Sequence, residues 1–506
     1  MKEIVSIQFG KDQGPLYLQL YNHIKRLIVD KTFEIGDKLP PIRKVASQLQ
    51  VNTVTVVSAY KLLEQNDYVY AKKGSGTYVA DIKEVEEYME SQRELESSIH
   101  QNAENPKDVA GIALMTGGHI HIEKDSINFA SATPTPAFFP VEDFKQVLMQ
   151  VLDRDGGKAF GYDESNGYGA LRAAIVSWLK TDYQIESHAQ NIQIISGAQQ
   201  GIDIIAKAFV NPGDYVLVEN PTYTGAVAVF KSRGAKVVGV PIQRDGIDME
   251  KLEKYIRIYR PKLIYTMPHY QNPTTFCYSD DKKVDLLKLV KDKKIYIIED
   301  DFMSDLNFEK KYRTKTLKSM DQYHKVLYIK SFSKVLMPGI RLGFLAAPLM
   351  LFKQIMQAKH TSDIASSGLI QRAFHLYLKK GFWNKHLMHM KEVYYSRYVE
   401  IMKLLLEVEK MGGDVCKANG GLNIWVKLPE GVSGTALYQR CLEKKVLIVP
   451  GKIFYVGENK AQDNYIRLSY AATDIQQIKV GINKLCNCIQ MLQNQDESDV
   501  YYSPLI

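Results

Sequence analysis

Seven short β-branched runs recur between residues 192 and 347: Ile192–Ile195, Tyr215–Glu219, Lys236–Val240, Lys262–Met267, Lys294–Glu299, Val326–Ile329 and Phe344–Ala347. Most are separated by enough chain for one amphipathic helix. Few folds accommodate this alternation, because strands joined by crossover helices run parallel in one sheet and the helices cover both faces. The expectation is an α/β domain with a mostly parallel sheet. In such sheets ligands bind beyond the carboxyl ends of the strands. The polar residues that follow each run can therefore be read as one set.

After Ile195 comes Ser196-Gly197-Ala198-Gln199-Gln200-Gly201, opening a helix whose first backbone N–H groups can hold a phosphate. After Glu219 comes Asn220-Pro221-Thr222-Tyr223, where Tyr223 can cover a flat ring. Gln271-Asn272-Pro273-Thr274 follows Met267-Pro268 after a short gap, and Ile298 leads into Glu299-Asp300-Asp301. Carboxylates at a buried strand end are costly unless they meet a cation. Ile329 is followed by Lys330-Ser331-Phe332-Ser333-Lys334 and then by Arg341-Leu342-Gly343. Each of these residues alone reads as ordinary packing or surface.

Together they match the needs of pyridoxal 5′-phosphate, which requires an amine, a carboxylate for its ring nitrogen, a stacking ring, a donor to its phenolate oxygen and a phosphate cradle. Lys334 supplies the amine for a Schiff base. Asp300 keeps the pyridinium nitrogen protonated. Tyr223 stacks on the ring and Asn272 bonds the phenolate oxygen. Ser196, Ala198, Gln199, Ser331 and Arg341 hold the phosphate, Arg341 as a charge-assisted clamp.

Those blocks in that order resemble fold type I aminotransferases, from about Ile127 to Ile489. The resemblance implies a carboxylate-binding role for Arg467, in Tyr465-Ile466-Arg467-Leu468-Ser469-Tyr470. It also implies that Tyr162, in Phe160-Gly161-Tyr162-Asp163, reaches the phosphate of a partner subunit. One position departs from the pattern. Related regulators carry tyrosine two residues after the aspartate, and Phe302 stands here, leaving the phenolate bond to Asn272.

The first eighty residues follow a different rhythm. Tyr17, Leu20, Ile24, Leu27 and Ile28 repeat at helical spacing over about Leu16 to Asp30. Pro40-Pro41 can open a second helix, with Ile42, Val45, Ala46 and Leu49 on its apolar face. Asn52 can cap a third helix from Thr53 to about Gln65. Tyr68–Ala71 and Thr77–Ala80 then flank Lys72-Lys73-Gly74-Ser75-Gly76, a hairpin with a basic, glycine-rich tip. The sum is a winged helix-turn-helix. Asn52, Thr53 and Thr55 would face base edges in the major groove. Arg43, Lys72 and Lys73 would meet phosphates, with Gly74 and Gly76 allowing close approach of the wing's backbone.

Three blocks here resemble the DNA-binding domain of the GntR family: Lys38–Ala46, Val51–Val56 and Lys73–Val79. Pro41 stands where that family more often has serine. A GntR-type head on an aminotransferase-like body resembles the MocR group of regulators. The resemblance implies a dimeric transcription factor that binds operator DNA and uses pyridoxal phosphate to sense an amino compound or the cofactor itself. The alternative is a metabolic aminotransferase with an accessory N-terminal module.

Charge supports a modular chain. Residues 1–80 carry a net +4, residues 81–125 a net −7, and the remainder +11 of the overall +8. The expected boundaries are a DNA-binding domain at 1–80, an acidic linker at 81–125 and an effector domain at 126–506. His119 and His121 read as linker residues. No run approaches the ~20 apolar residues of a membrane span, and the opening Met-Lys-Glu-Ile-Val-Ser lacks a signal-peptide pattern. Five cysteines give no disulfide framework, and Cys486 and Cys488 lack the further ligands of a metal site. The expected compartment is the cytoplasm.

Overall fold

The computed structural model describes residues 15–30, 32–65, 68–72, 75–80, 125–309, 315–457 and 463–500, together with Ile4, Ser6, Ile7, Phe9 and Gly10. The stretch 81–124, read above as linker, and Lys73 and Gly74 of the hairpin tip lie outside the described residues. The chain divides into two compact units, Met1–Asn105 and Pro106–Ile506.

In the first unit, α1 (Leu16–Val29), α2 (Ile42–Leu49) and α3 (Thr53–Gln65) precede the antiparallel pair β1 (Val69–Lys72) and β2 (Gly76–Val79). Leu20, Ile24, Val45, Val56, Ala59 and Leu63 are fully buried between the three helices. Each larger aliphatic side chain among them stabilises the unit by about 1.5–3 kcal/mol. Pro41 caps α2, and the Asn52 carboxamide accepts from the Val54 N–H at 2.9 Å at the start of α3. The segment before α2 joins the hairpin: Lys38 bridges Tyr78, and the Leu39 N–H donates to the Thr77 carbonyl at 2.8 Å.

The second unit is built on an eight-stranded sheet. Its strands are β3 (Ile192–Ile195), β4 (Tyr215–Asn220), β5 (Lys236–Gln243), β6 (Gly246–Ile247), β7 (Leu263–Thr266), β8 (Tyr296–Asp301), β9 (Val326–Ser331) and β10 (Gly343–Ala346). They lie in the order β3-β10-β9-β8-β7-β4-β5-β6. The pairs β9–β8, β8–β7, β7–β4 and β4–β5 are parallel. Strand β10 runs antiparallel to both of its neighbours, because the short connection 332–342 leaves no room for a crossover helix. Alternation along the strands divides the core in two. Ile194, Ile297 and Tyr328 face one apolar layer, while Ile195, Ile298 and Ile329 face the other, which helices Ala198–Phe209 and Leu349–His360 cover.

A second sheet, not read from the sequence, is antiparallel throughout. It comprises β11 (Asp414–Val415), β12 (Asn423–Lys427), β13 (Val449–Pro450) and β14 (Tyr465–Ser469), in the order β11-β12-β14-β13. Strand β14 carries Arg467. Among the described residues no helix is long and apolar enough to cross a membrane.

Candidate cofactor and effector site

Strand β8 ends in three consecutive buried carboxylates, and alternation sends them to opposite faces. Asp301 turns toward Lys330, whose ammonium lies 3.2 Å from Asp301 and 2.9 Å from Asp305. Ser304 and Tyr328 hydroxyls each donate to Asp301 at 2.6 Å. Burial alone would raise the Asp301 carboxyl, but the Lys330 ammonium, His269 and the Ser304 and Tyr328 hydrogen bonds together outweigh it and bring the group down to about 2. Lys330 is thus spent on a buried ion pair. Glu299 accepts from the Leu317 and Lys318 N–H groups at 2.9 and 2.7 Å.

Asp300 takes the other face and forms no ion pair with a lysine among the described residues. Tyr265 donates to Oδ2 at 2.7 Å, and Oδ1 is buried without a hydrogen-bond partner among the described residues. Burial pushes the Asp300 carboxyl up to about 7 against that hydrogen bond. Lys334 stands in the turn after β9, half-buried. Burial, joined by repulsion from Arg467 and Arg341, brings its ammonium down to about 8, with Asp300 opposing.

Arg467 is buried, and burial lowers its guanidinium to about 10. One arm donates to Asn272 Oδ1 at 3.1 Å and the other to the Ala130 carbonyl at 2.5 Å. Nε has no hydrogen-bond partner among the described residues, and the group sits 5.2 Å from the Phe454 ring centroid. The Tyr223 hydroxyl donates to Gln199 Oε1 at 3.1 Å. Burial raises the Tyr223 phenol, helped by the Asp300 charge and opposed by Arg341 and Arg467. These mutual influences place Tyr223, Asp300, Lys334, Arg341 and Arg467 in one electrostatic neighbourhood.

The turn before the helix Ala198–Phe209 is shaped by Gly197. It precedes the helix Ala198–Phe209 at φ +109°, a conformation side chains rarely adopt. A Cβ there would come within 3.0 Å of the Arg341 guanidinium, so Arg341 lies directly over the helix N-terminus. The first N–H groups of the helix, including those of Ala198 and Gln199, lack carbonyl partners within the helix. Ser196 precedes them, and Ser331 is buried at the end of β9, where its hydroxyl accepts from the Ser333 N–H at 3.3 Å.

Sequence reading missed the supports of these groups. Tyr265 is one. Glu219 is another: fully buried, it accepts from Thr266 Oγ1 at 2.5 Å, Tyr278 Oη at 2.8 Å and Gln271 Nε2 at 3.0 Å. Gln271 also donates to the Pro221 carbonyl at 2.7 Å and accepts from the Thr274 hydroxyl at 2.7 Å. The pair therefore links the loop bearing Tyr223 to the loop bearing Asn272. The readable signal was a glutamate at a buried strand end with no lysine nearby in sequence. Phe302 is partly buried and packs against both apolar layers. Tyr162 stands apart from these contacts and is 86% exposed.

In the first unit Arg43, Asn52, Thr53, Lys72 and Gly76 are exposed and Thr55 is half-buried. Asn52 is engaged in capping α3, so its carboxamide oxygen already has a donor.

The donor set fits pyridoxal 5′-phosphate. The partnerless Asp300 Oδ1 can accept from a pyridinium N–H, the Lys334 amine can meet the aldehyde, and the Gly197 turn under Arg341 can take the phosphate.

Comparison with known proteins agrees with this geometry. Residues 16–79 match the family of bacterial regulatory proteins, gntR family, and residues 124–485 match aminotransferase class I and II. The chain is 31% identical over 369 residues to the 2-aminoadipate transaminase of Thermus thermophilus, covering 72% of this chain and 90% of that protein. It is 29% identical over 479 residues to the uncharacterized HTH-type transcriptional regulator YisV of Bacillus subtilis, covering 93% and 95%. Among solved structures, the multiple substrate aminotransferase of Thermococcus profundus aligns with a TM-score of 0.70 at 29% identity, covering 78% of this chain and 97% of that one. LysN of Thermus thermophilus, solved with N-(5′-phosphopyridoxyl)-L-leucine, aligns at 0.68 and 31%, covering 74% and 94%. A GntR head followed by an aminotransferase domain is the build of MocR-type regulators, and the chain belongs to the aminotransferase class I and II family, whose cofactor is pyridoxal 5′-phosphate.

Proposed function

We propose that this chain is a DNA-binding transcriptional regulator whose body binds pyridoxal 5′-phosphate and senses an amino compound bearing a carboxylate. The observation that carries the reading is the pairing of a GntR head with an intact amine, carboxylate and guanidinium set in the body. The functional division runs as a DNA-binding domain at 1–80, a linker at 81–125 and an effector domain at 126–506. We take the protein to act as a homodimer in the cytoplasm, with Tyr162 serving the partner subunit's phosphate site.

The bound cofactor supplies an aldehyde and an electron-withdrawing pyridinium ring. Lys334 contributes a partly neutral amine near pH 7.5, since its ammonium sits at about 8. Asp300 holds the ring-nitrogen proton through Oδ1. Tyr223 covers the ring, and Asn272 reaches the phenolate oxygen in place of the hydroxyl that Phe302 lacks. Ser196, Ala198, Gln199, Ser331 and Arg341 hold the phosphate. Arg467 pairs with the effector's carboxylate, and effector binding shifts the protein between states of different DNA affinity. In the head, Asn52, Thr53 and Thr55 read bases. Arg43, Lys72 and Lys73 meet phosphates, and Gly74 and Gly76 admit the backbone.

The second reading, a metabolic aminotransferase, draws on the same complete donor set and on the relatives that carry that name. Footprinting on promoters beside the gene, paired with turnover on amino acid and keto acid pairs, separates the two. Protection with slow or absent turnover supports the regulator, and turnover without protection supports the enzyme.

A further inference from the structure

Two lysines from separate segments converge on one tyrosine of the hairpin. Lys72 closes β1 and its ammonium lies 5.1 Å from the Tyr78 ring centroid; Lys38, from the segment before α2, places its ammonium 5.8 Å from the same ring. Tyr70 stacks beside Tyr78 at 5.8 Å between centroids and also carries the Lys72 ammonium at 5.7 Å. The arrangement is braced. Lys38 pairs with Tyr78 across a β-bridge, Ser75 Oγ and Tyr78 Oη are 2.6 Å apart, and the Tyr60 hydroxyl of α3 donates to the Pro40 carbonyl at 2.8 Å. Gly76, at φ +132°, makes room for the lysine stem, since a Cβ there would come within 2.7 Å of Lys38 Cε. Both lysines are exposed, and neither meets a carboxylate among the described residues.

We infer that Lys38 and Lys72, seated on the Tyr78 ring, form one dicationic phosphate-binding site on the wing. Lys38 is thereby a DNA contact supplied from outside the helix-turn-helix and the hairpin. This inference rests on the DNA-binding reading above. Aromatic seating reduces the freedom of two long side chains, so less entropy is lost when they meet the nucleic acid backbone. Partnered on the ring but not neutralised, the ammoniums retain their charge for a phosphate.

The test uses the full-length protein and a 40-base-pair duplex of arbitrary sequence, because backbone contacts need no operator. Binding is measured between 50 and 200 mM salt. Each lysine–phosphate contact adds about 0.9 to the slope of log affinity against log salt. Lys38→Met keeps the stem over Gly76 and removes the charge. It should lower the slope by about 0.9, so that the wild-type advantage at 50 mM salt shrinks about threefold by 200 mM. Lys38→Met combined with Lys72→Met should lower it by about 1.8. A Lys38→Met protein with the wild-type slope and melting temperature overturns the site while leaving the DNA reading intact. A wild-type protein that binds no duplex at 50 mM salt overturns both. Loss of affinity with an unchanged slope also counts against the site, because it marks a structural effect.

Discussion

Tyr265 donates to one oxygen of Asp300 at 2.7 Å, while the other oxygen is buried without a hydrogen-bond partner among the described residues. The two residues sit on neighbouring parallel strands, with Tyr265 in register with Ile298, two positions before Asp300. One oxygen of the carboxylate is therefore satisfied by the protein, and the other is able to accept from a cationic N–H.

The pH dependence follows from that half-satisfied state. In the cofactor-free protein burial raises the Asp300 carboxyl to about 7, against an ordinary value of 3.8. Between about pH 4 and 7 the folded chain keeps a proton that the unfolded chain has released. Stability therefore falls as pH rises through that window, by about 1.4 kcal/mol per unit of difference. Asp300→Asn should remove this loss. The cofactor-free variant should melt higher than wild type at pH 8 and level with it at pH 4, while holding pyridoxal phosphate less tightly. Identical melting profiles from pH 4 to 8 would show that the carboxyl is not strained by burial.

Lys334 gives a kinetic counterpart. Only a neutral amine can attack an aldehyde, and the Lys334 ammonium is lowered to about 8 by burial and by Arg467 and Arg341. Uptake of pyridoxal phosphate, followed by the visible absorption that develops, should accelerate with pH, reach half its maximum near pH 8 and level off about one unit higher. Lys334→Ala should develop no such absorption, and borohydride should fix no cofactor to it. Continued acceleration toward pH 10 would contradict the lowered value. Absorption surviving in the alanine variant would point to another lysine, although Lys330 is committed to Asp301 and Asp305.

The strands were legible because β-branched residues cluster where both faces of a sheet are buried. The run Ile192–Ile195 is the observed β3. The run Lys294–Glu299 becomes Tyr296–Asp301: Lys293 and Lys294 fall in the preceding turn, and the strand continues through two more acids because Lys330 neutralises Asp301 and Tyr265 serves Asp300. Neither compensation is visible along the chain, since each partner lies on a neighbouring strand. The same limit hid the small sheet. Strands β12 and β14 pair Trp425 with Arg467 across forty residues of intervening sequence, and no local period records that contact. Tyr265 was missed because a tyrosine in an apolar run reads as packing until the acceptor of its hydroxyl is known. Local capping chemistry was readable, as Asn52 illustrates.

Gly197 offers a test of the phosphate cradle that leaves every polar group in place. Its φ of +109° is accessible to glycine and strained for alanine, and the added methyl would sit 3.0 Å from Arg341. Backbone strain of this type costs about 1–3 kcal/mol. Gly197→Ala should bind pyridoxal phosphate more weakly but lose little of its affinity for pyridoxal, which has no phosphate. The ratio of the two dissociation constants is the measurement. Equal weakening toward both would place the damage in the ring site instead.

In the head, base reading and backbone contact predict different signatures. Thr53 is exposed and Thr55 half-buried at the start of α3. Alanine at either position should alter the preferred sequence recovered from a randomised duplex pool, whereas Lys72→Ala should weaken all sequences similarly. Asn52→Ala carries a confounding effect, because its carboxamide caps α3 at 2.9 Å and losing such a cap costs about 1 kcal/mol. Its binding defect should come with a lower melting temperature, and the threonine variants should not share it. An unchanged preference in both threonine variants would remove α3 as the reading helix.

The proposed role of Arg467 bears on what kind of molecule the body would sense. The two arms of Arg467 are held by Asn272 and Ala130, and Nε is buried without a hydrogen-bond partner among the described residues. The side chain is thus fixed in place while part of its donor capacity remains free for an incoming carboxylate. Arg467→Ala should retain pyridoxal phosphate, because the proposed ring and phosphate contacts come from other residues, and basal DNA binding, because the head is unaltered. It should lose the response to a carboxylate-bearing effector. A hydrogen bond to a charged group is worth ~1.5–3 kcal/mol, equivalent to a tenfold to hundredfold loss in effector affinity. Titration of wild type and variant with amino acids and with their decarboxylated amines, read by visible absorption and by DNA binding, separates the cases. The amino acid response should collapse in the variant, and any response to the amine should survive. An amino acid response of unchanged affinity would remove Arg467 from the effector site and leave the cofactor itself, or an amine without a carboxylate, as the signal.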